Sequence, residues 1–475
     1  MIENYLNKRF LILFLYPFIL GSLAVLSFQP FNLTFINFFI LPSLFYLIIF
    51  IKKKSRNIYR KKPFKINLFI YGTSFGFGFF LSGIHWISYS LTFDESFQIL
   101  IPFSLIIIPL FLSLFFSLIF LVIGPYLNLN FQSILLFSGG LAFSDFLRDK
   151  ILSGFPWNIW AYSFSWSTEM IQFLYKFGLF TFNLFVITIF LLPSVFFLRV
   201  NVLKKIFNFF LLLLLLFLFY LYGSYSLNSN TTHLKKTEDT FYLKVISPNF
   251  ELKYGLDNKE INQRLDKLIK YSDPKKNVKT LFVWPEGVFS GYSFKQILNL
   301  KDNFSKNFDK GHYILFGVNR IDEKRGGFYN TLVVINNQME ILGEYRKQKL
   351  VPFGEFLPFE KLLNEFGFKK ITEGHGSFLK GKFQKNLVID KLNILPLICY
   401  EIIFTKFIQK SERDTNLIVN ISEDGWFGNS IGPYQHFAKG IFRAVEQNSF
   451  LIRSANKGVT AIINNKGEVV KRLNP

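Results

Sequence analysis

The sequence predicts two different domains in one chain: a multi-pass α-helical membrane domain, followed by an extracytoplasmic α/β domain. Three observations support this prediction. The chain has 475 residues, of which 50% are hydrophobic and 64 are Phe, and its length allows two to four domains at about 100–200 residues each. Long apolar runs are concentrated in the first half. After about residue 235 they are replaced by short apolar runs between Lys, Glu, Asp, Asn and Gly. We therefore expect a membrane domain over 1–225 and a globular domain over 235–475.

The apolar runs of the first half are long enough to cross a bilayer, whose core of about 30 Å requires ~20 apolar residues in a helix. By this measure the sequence predicts seven spans, at 10–28, 34–51, 67–91, 99–124, 132–147, 178–198 and 205–223. The fifth span is the weakest, because it is short and is followed by charged residues as far as Lys150. The first span has a basic start but no small-residue cleavage site after it, which favours a retained helix over a signal peptide.

Basic residues in the short loops predict the orientation, because such loops face the cytoplasm. The loop 52–65 holds eight basic residues and no acidic one, whereas the loop after the third span carries Asp94 and Glu95. These signs agree if the N-terminus is cytoplasmic, and seven crossings then place the globular domain outside. The net charge of +22 and the pI near 9.7 are therefore interpreted as membrane topology, and we expect no nucleic acid partner.

The second half has the alternation of strands and helices that is typical of a layered α/β domain. Short apolar runs bounded by turn residues predict buried strands. They lie at 241–247, 280–285, 313–318, 331–336, 393–400 and 416–422. Apolar residues at three-to-four spacing predict amphipathic helices at 258–271 and 437–448.

The sulfur and imidazole side chains are few. Cys399 is the sole cysteine, which excludes an internal disulfide framework and a Cys-rich metal site. The five histidines are scattered, and no two of them are four residues apart. This pattern argues against a catalytic metal, and we expect no cofactor.

Three segments carry reactive groups where predicted strands end. Cys399 lies in LICYE (397–401), where a strand-to-helix turn can expose a nucleophile. Glu286 lies in WPEG, and Lys347 lies in YRKQKLVPFGEF (345–356). In one cleft, the carboxylate could deprotonate the thiol and the ammonium could stabilise an oxyanion. Taken singly, the cysteine is equally consistent with a buried structural residue and each charge with a solvated loop.

These segments resemble the carbon–nitrogen hydrolase (nitrilase) superfamily, and within it the apolipoprotein N-acyltransferases. The resemblance is most specific in KQKLVPFGE (347–355) and DGWFGNSIGPYQH (424–436), and it extends to SGIHW (82–86) and GFPWN (154–158) in the membrane half. It implies a nitrilase-like αββα sandwich for the globular domain. It also covers nearly the whole chain.

The resemblance implies roles for individual residues. Glu286 corresponds to the general base, Lys347 to the oxyanion stabiliser and Cys399 to the nucleophile. Supporting residues are Glu355, Tyr400 and Glu401, with the backbone N–H that follows Cys399 as a second oxyanion donor. Candidate acyl-contact and lid residues are Tyr254, Phe353, Phe356, Leu357, Trp426, Phe427 and Tyr434.

The resemblance also implies an activity. In the family, the cysteine takes an acyl chain from a membrane phospholipid, chiefly the sn-1 chain of phosphatidylethanolamine. It passes the chain to the α-amine of the S-diacylglyceryl-cysteine that begins an apolipoprotein, the last step of lipoprotein maturation. We therefore expect a multi-pass protein of the bacterial inner membrane, with its catalytic domain on the periplasmic side. We also expect a monomer, since the site needs residues from one chain only.

The sequence departs from the family's pattern at three places. Glu423 stands where Asn is usual, and Ser247-Pro248-Asn249 and Lys253-Tyr254 replace Gln-x-Asn and Lys-Trp. The sequence ends at KRLNP, without the family's eighth helix.

Three alternatives remain open. A membrane-tethered nitrilase-type amidase would resolve the thioester with water, although a tether needs only one helix. An inactive, degenerate acyltransferase is suggested by Glu423 and by the missing helix. A transporter or receptor with a sensor domain would require a pathway of intramembrane ionisable groups, and the sequence offers few, chiefly His85 and Asp145.

Overall fold

The computed structural model describes residues 9–58, 64–229, 241–253, 255–365, 377–412 and 414–475. The chain divides into two compact units, Met1–Asn230 and Thr231–Pro475. The first unit is helical. Its α-helices are α1 (Tyr16–Ala24), α2 (Asn37–Ile58), α3 (Phe64–Ile84), α4 (Ile101–Ile123), α5 (Phe131–Lys150), α6 (Thr168–Ile171), α7 (Leu174–Phe190) and α8 (Val202–Ser229).

Helices cover all seven of the predicted spans, but they differ in length and apolar character. Among the described residues, four continuous helical stretches are long and apolar enough to cross a membrane: Thr34–Lys54, Phe64–Thr92, Glu95–Tyr126 and Val202–Asn228. The helices Leu11–Ser27 and Leu174–Phe190 are apolar but shorter. Helix α5 is not among these six. Seven crossings and a cytoplasmic N-terminus therefore stay predictions.

Small residues allow α3 and α4 to pack closely. A Cβ atom on Gly72 would lie 2.7 Å from Ser117 Cα, and one on Gly76 would lie 2.7 Å from Ser113 Cα. The two glycines are four residues apart and therefore share one face of α3. This is the pattern by which helices approach each other in lipid, where close packing replaces the hydrophobic drive for association.

A buried polar cluster joins α5 to α7 and to the loop at 154–158. Arg148 donates to Asp145 Oδ1 at 2.8 Å, and Asn183 donates to Asp145 Oδ2 at 2.9 Å. Arg148 also donates to the carbonyl of Phe155 at 2.8 Å and to that of Asn158 at 3.3 Å. The carboxylate and the guanidinium neutralise each other, which allows both to be buried. The hydrogen bonds from Arg148 to the two carbonyls hold the loop in place.

The second unit contains two β-sheets within its described residues. The five-stranded sheet has the order β1-β2-β3-β4-β5, and the six-stranded sheet has the order β11-β10-β9-β8-β7-β6. The strands are β1 (Tyr242–Val245), β2 (Thr280–Val283), β3 (His312–Asp322), β4 (Gly327–Ile335), β5 (Ile341–Arg346), β6 (Leu387–Ile389), β7 (Leu392–Ile398), β8 (Leu417–Glu423), β9 (Phe450–Asn456), β10 (Thr460–Ile463) and β11 (Val469–Leu473).

Strand direction places several carboxyl ends at one edge of each sheet. Strands β1, β2 and β3 are parallel, β4 is antiparallel to β3, and β5 is antiparallel to β4. Strand β5 therefore runs in the same direction as β2. In the other sheet, β7, β8 and β9 are parallel. Side chains that follow β2 and β5 thus emerge at one edge of the first sheet, and those that follow β7 and β8 at one edge of the second.

Alternate residues of the strands build two apolar layers. Leu281 and Val283 of β2 pack against Ile398 of β7 and Val419 of β8, between the sheets. The α-helices of the unit are α9 (Asn258–Ser272), α10 (Phe294–Ile297), α11 (Lys301–Asn307), α12 (Glu360–Glu365), α13 (Lys406–Gln409) and α14 (Gly432–Gln447). Phe282 points the other way, into a second cluster formed with α9, α10 and α11.

The unit is therefore an αββα sandwich, with α9, α10 and α11 covering the first sheet and α14 packing against β9 and β10 of the second. Each of the six predicted strands is present, with its ends shifted by a few residues. Of the two predicted helices, 258–271 corresponds to α9, and 437–448 is the second part of the longer helix α14. Strands β5, β6, β9, β10 and β11 were not expected from the apolar runs.

Candidate active site

The three residues expected to react lie at the carboxyl ends of three strands. Glu286 follows β2, Lys347 follows β5 directly, and Cys399 follows β7 directly. The structure brings them together: Lys347 Nζ lies 3.6 Å from Glu286 Oε1, and both side chains act electrostatically on the Cys399 thiol. Residues that are 113 positions apart in sequence (399 − 286) therefore meet because the two sheets pack face to face.

Lys347 is a buried cation between two carboxylates. Its side chain is only 2% exposed, and its Nζ lies 2.9 Å from Glu355 Oε1, closer than to Glu286. Burial alone would lower the pKa of the Lys347 ammonium, but Glu286 and Glu355 outweigh burial and hold the pKa above its ordinary value. The lysine is therefore positively charged, as a stabiliser of an oxyanion must be.

Asn330 of β4 connects the two carboxylates, and the sequence analysis did not single it out. Its side-chain amide donates to Glu286 Oε1 at 2.7 Å and to Glu355 Oε1 at 2.8 Å. Because β4 is antiparallel to its neighbours, its early residues lie at the edge where β2 and β5 end. The only available signal was a polar residue just before the apolar run 331–336.

Backbone amides hold the remaining carboxylate oxygens. Glu286 Oε2 accepts from the N–H of Glu423 at 3.1 Å, and Glu355 Oε2 accepts from the N–H of Val351 at 2.9 Å. Each carboxylate therefore presents one oxygen to Asn330 and Lys347 and keeps the other on the backbone. This arrangement fixes the orientation of Glu286 beside the thiol.

Cys399 has the backbone conformation of a sharp turn. Its φ angle is +48°, in the left-handed region that non-glycine residues seldom adopt, and its side chain is nearly buried. Burial and then Glu286 raise the pKa of the Cys399 thiol, while Lys347 and the Ser422 hydroxyl lower it, and the net result is a raised pKa. The resting sulfur is thus a thiol, and attack on a carbonyl requires a base to take its proton.

Glu401 ties the segment after Lys347 to the end of β7. One oxygen accepts from the N–H groups of Gln348 at 2.7 Å and Lys349 at 3.0 Å, and the other accepts from the N–H of Ile398 at 2.9 Å. Tyr345 Oη donates to the same carboxylate at 3.0 Å. Burial raises the pKa of Glu401 to about 7, although these backbone donors oppose the shift.

Tyr400, which follows the nucleophile, is also buried. Its ring lies edge-on to Phe404, with 5.0 Å between the ring centroids. Its side chain therefore belongs to the packing around the turn, and its backbone N–H is the group adjacent to the reacting residue.

Glu423 is buried, and its backbone N–H donates to Glu286. Its carboxylate accepts from Asn456 Nδ2 at 2.8 and 3.1 Å and from the N–H of Gly425 at 3.0 Å. Burial raises the pKa of Glu423 to about 8, with further increases from Glu286 and Asp424. At neutral pH the extra carboxyl is therefore mainly protonated, and it adds little negative charge beside the base.

The expected acyl-contact residues lie in two loops of this unit and in α14. Tyr254 lies outside the described residues. Phe353 is 51% exposed with φ +61°, and Leu357 is buried. Phe356, Trp426, Phe427 and Tyr434 are half-buried. Phe427 packs edge-on against His436 at 5.3 Å, and Tyr434 lies under the Arg472 guanidinium at 5.9 Å.

A surface cavity of about 310 Å³ is lined by Asp322, Lys324, Arg325, Tyr329, Arg346, Lys382 and Gln384, none of which was expected to bind substrate. Within the described ranges, no group of three or more His, Cys, Asp or Glu side chains has the arrangement of a metal site.

The fold defines a domain of the carbon–nitrogen hydrolase class. The carbon–nitrogen hydrolase family matches residues 254–475, and the apolipoprotein N-acyltransferase N-terminal domain family matches residues 20–192. A Saccharomyces cerevisiae member of branch 10 of the nitrilase superfamily can be superposed with a TM-score of 0.35 at 15% identity, over 49% of this chain and 85% of that one.

Similarity to curated relatives extends over both units. The apolipoprotein N-acyltransferase of Rhodopseudomonas palustris is 30% identical over 468 residues, which cover 95% of this chain and 85% of the relative. That of Rickettsia typhi is 32% identical over 472 residues, which cover 96% and 88%. The chain belongs to the apolipoprotein N-acyltransferase family.

Proposed function

We propose that this chain is an apolipoprotein N-acyltransferase that acts through a thioester on Cys399. One observation carries the proposal: Glu286, Lys347 and Cys399 meet at the carboxyl ends of β2, β5 and β7, in a chain whose other half matches the N-terminal domain of this family. The acyl donor is a membrane phospholipid, and the acceptor is the α-amine of an S-diacylglyceryl-cysteine.

In the first half-reaction, Glu286 takes the proton of the Cys399 thiol as the sulfur attacks the ester carbonyl of the phospholipid. The oxyanion that develops is stabilised by the Lys347 ammonium and by the backbone N–H of Tyr400. When the intermediate collapses, the C–O bond breaks and the leaving alkoxide takes the proton from Glu286. The products are a lysophospholipid and the acyl-enzyme.

In the second half-reaction, the neutral α-amine of the apolipoprotein attacks the thioester carbonyl. Glu286 takes a proton from the attacking nitrogen, the C–S bond breaks, and the sulfur recovers that proton. The same oxyanion donors serve both steps because the acyl carbonyl stays in place. The product is an amide, and the enzyme returns to its starting state, which defines a ping-pong transfer.

The surrounding carboxyl groups position this machinery. Glu355 holds Lys347, and Asn330 aligns Glu355 with Glu286. Glu401 holds the backbone on both sides of the site. Since burial keeps Glu423 largely protonated, this carboxyl adds little negative charge beside Glu286 and Lys347.

We further propose that phosphatidylethanolamine is the donor, that the protein acts as a monomer, and that the catalytic unit faces the periplasm from the bacterial inner membrane. The basic loop 52–65 supports this orientation. The residues proposed to contact the acyl chain are apolar or aromatic: Tyr254, Phe353, Phe356, Leu357, Trp426, Phe427 and Tyr434. Of the described ones, Phe353 has the exposure that lipid contact requires.

The hydrolytic alternative is not favoured. An amidase needs only a tether, whereas the family match over residues 20–192 covers most of the helical unit. A degenerate enzyme is also not favoured, because the acid, the amine and the thiol are all present, Lys347 Nζ lies 3.6 Å from Glu286, and both side chains act electrostatically on the thiol.

The test is intact-protein mass spectrometry of protein purified from membranes and supplied with phospholipid. Because Cys399 is the sole cysteine, an acyl adduct that hydroxylamine removes from the wild type, and that is absent from Cys399→Ala, identifies the acyl carrier. A diacylated lipopeptide should then discharge the adduct and gain the acyl chain. Discharge by water alone at the same rate would contradict the transferase, and the absence of any adduct would contradict thioester chemistry.

A further inference from the structure

A buried ionic cluster lies directly against the backbone of the nucleophile. It consists of Asp424, His436 and Arg453, whose side chains are at most 1% exposed. Arg453 Nη2 lies 2.7 Å from Asp424 Oδ2 and 2.9 Å from His436 Nδ1. On its other side, His436 Nε2 lies 3.2 Å from the carbonyl oxygen of Cys399.

The contacts define which imidazole nitrogen carries the proton. A carbonyl oxygen can only accept a hydrogen bond, so His436 Nε2 must be the donor to Cys399. Burial and then Arg453 lower the pKa of His436 to about 4, and the ring is therefore neutral at pH 7. Nδ1 lies between a donor and an acceptor, 2.9 Å from Arg453 Nη2 and 3.0 Å from Asp424 Oδ1. In a neutral ring with its proton on Nε2, Nδ1 accepts from Arg453, and the same guanidinium holds the Asp424 oxygen beside it.

Asp424 keeps Arg453 in place for this task. Burial opposes ionisation of Asp424, but Arg453 and then His436 outweigh it and hold the pKa of the carboxyl below its ordinary value. The carboxylate also accepts from the Ser422 hydroxyl at 2.6 Å. The contacts thus run from the Asp424 carboxylate through the Arg453 guanidinium to the imidazole and on to the Cys399 carbonyl. Asp424 Oδ1 also lies directly beside His436 Nδ1.

The carbonyl of Cys399 and the N–H of Tyr400 belong to the same peptide group. In a planar trans peptide, these two bonds point in opposite directions, so fixing one fixes the other. Cys399 holds a φ angle of +48°, and a residue in this region stays there only when its surroundings restrain it. The bond from His436 supplies such a restraint on the side of the peptide away from the Tyr400 N–H.

We propose that His436 is a positioning residue for the oxyanion hole: by binding the Cys399 carbonyl, it orients the 399–400 peptide so that the Tyr400 N–H faces the reacting acyl carbonyl. The inference rests on the proposed function, because an oxyanion forms only if Cys399 is acylated. His436 does not touch substrate and does not transfer a proton in this scheme. It acts through the backbone alone.

The test compares His436→Gln with His436→Asn, a pair that differs by one methylene. The Gln amide can place its nitrogen where Nε2 lies, whereas the Asn amide is too short to reach the Cys399 carbonyl. Single-turnover acylation by phospholipid in mixed micelles should fall about 10²-fold in His436→Asn, the cost typical of a lost oxyanion donor. His436→Gln should stay within about 10-fold of the wild type, and the phospholipid concentration at half-saturation should not change in either variant.

Alkylation of Cys399 by iodoacetamide separates the oxyanion hole from the thiol itself. The reaction displaces iodide from a saturated carbon and forms no oxyanion, so its rate should be the same, within about threefold, in the wild type and both variants. Equal acylation by the Gln and Asn variants would overturn the inference. Acylation and alkylation that fall in parallel would also overturn it, because the defect would then lie in the thiol.

A spectroscopic measurement on the wild type is independent of any variant. Nitrogen-15 NMR of histidine-labelled protein at pH 7 should show a proton on His436 Nε2, and an unprotonated Nε2 would overturn the inference. The proposed function can fail separately. If the wild type forms no thioester, that proposal is lost. If the wild type and His436→Asn acylate equally well, only the role of His436 is lost.

Discussion

Lys347 is bound more closely by Glu355 than by Glu286, with Nζ to oxygen distances of 2.9 and 3.6 Å. This difference in distance indicates different roles for the two carboxylates. Glu355 has both oxygens engaged by Lys347, Asn330 and the Val351 N–H, as an anchor should. Glu286 is slightly more exposed and lies farther from the cation, so it is the carboxylate that Lys347 restrains less.

Glu355→Gln should therefore slow acylation without removing the base. The neutral amide holds Lys347 less strongly, the ammonium moves toward Glu286, and a tighter ion pair makes Glu286 a weaker base. We expect single-turnover thioester formation to fall by about 10- to 100-fold. The matched control is Glu360→Gln, on the same segment, because Glu360 is exposed and accepts a hydrogen bond from the Ser377 hydroxyl. Wild-type acylation by Glu355→Gln would contradict the anchoring role.

Apolar runs in the sequence were sufficient to place Glu286 and Cys399 where strands end. Lys347 was indicated by the motif KQKLVPFGE instead, because the strand before it, ILGEYR, has no apolar run. Apolar runs were not sufficient for strand β9. The segment Phe450–Asn456 contains the polar residues Arg453, Ser454 and Asn456 after three apolar ones, and all three polar side chains are buried. Apolar content is low in a strand whose polar side chains are paired inside the fold, so the hydrophobic pattern gives a weak signal.

Asn330 and His436 were missed for a related reason. A buried polar residue has no sequence pattern of its own, since its role depends on groups that the fold brings to it from elsewhere. His436 lies in the motif that indicated the family, yet its contact with Cys399 joins residues from α14 and from the end of β7. In the helical unit, α5 combines apolar residues with Asp145 and Arg148. These two charged residues made the segment a weak candidate for a span, although they neutralise each other as a buried pair.

Glu423 predicts a pH-dependent stability. Its pKa of about 8 is raised above the value of about 4.5 expected when unfolded, so the folded protein retains a proton that the unfolded chain releases. The stabilisation from this group is complete below about pH 4.5 and is lost as the pH rises through about 8. Glu423→Gln cannot titrate and should therefore gain stability relative to the wild type as the pH rises.

Thermal unfolding in detergent micelles at pH 5 and pH 8.5 measures this difference. The Tm of Glu423→Gln minus that of the wild type should increase by about 5 °C between the two values. Glu401 titrates in both proteins and cancels from the comparison. A difference that is constant with pH, or that decreases, would show that burial does not hold a proton on Glu423.

Gly458 lies against the ionic cluster. A Cβ atom on this residue would overlap the carboxylate of Asp424, so Gly458→Ala must displace Asp424 from Arg453. A buried guanidinium that loses its partner costs about 3–5 kcal/mol. We expect a clear decrease of Tm together with slower acylation. The control is Gly311→Ala in the same unit, where the nearest atom, Lys279 Cα, lies 3.6 Å from the added carbon, and where Tm should hardly change.

The buried pair in α5 predicts a defect that a second substitution relieves. Arg148→Met leaves the Asp145 carboxylate buried and removes the donors to the carbonyls of Phe155 and Asn158. Breaking such a pair typically costs about 3–5 kcal/mol, whereas replacing both partners by neutral groups costs less. The Arg148→Met protein should accumulate poorly in membranes and aggregate at lower temperature after solubilisation, and adding Asp145→Asn should restore part of both. The control is Lys204→Met in the same unit, because Lys204 is exposed, and the stability should hardly change. If the double variant is no more stable than Arg148→Met, the two charges do not act as a pair, and the contacts of Arg148 with the 154–158 loop must carry the whole effect.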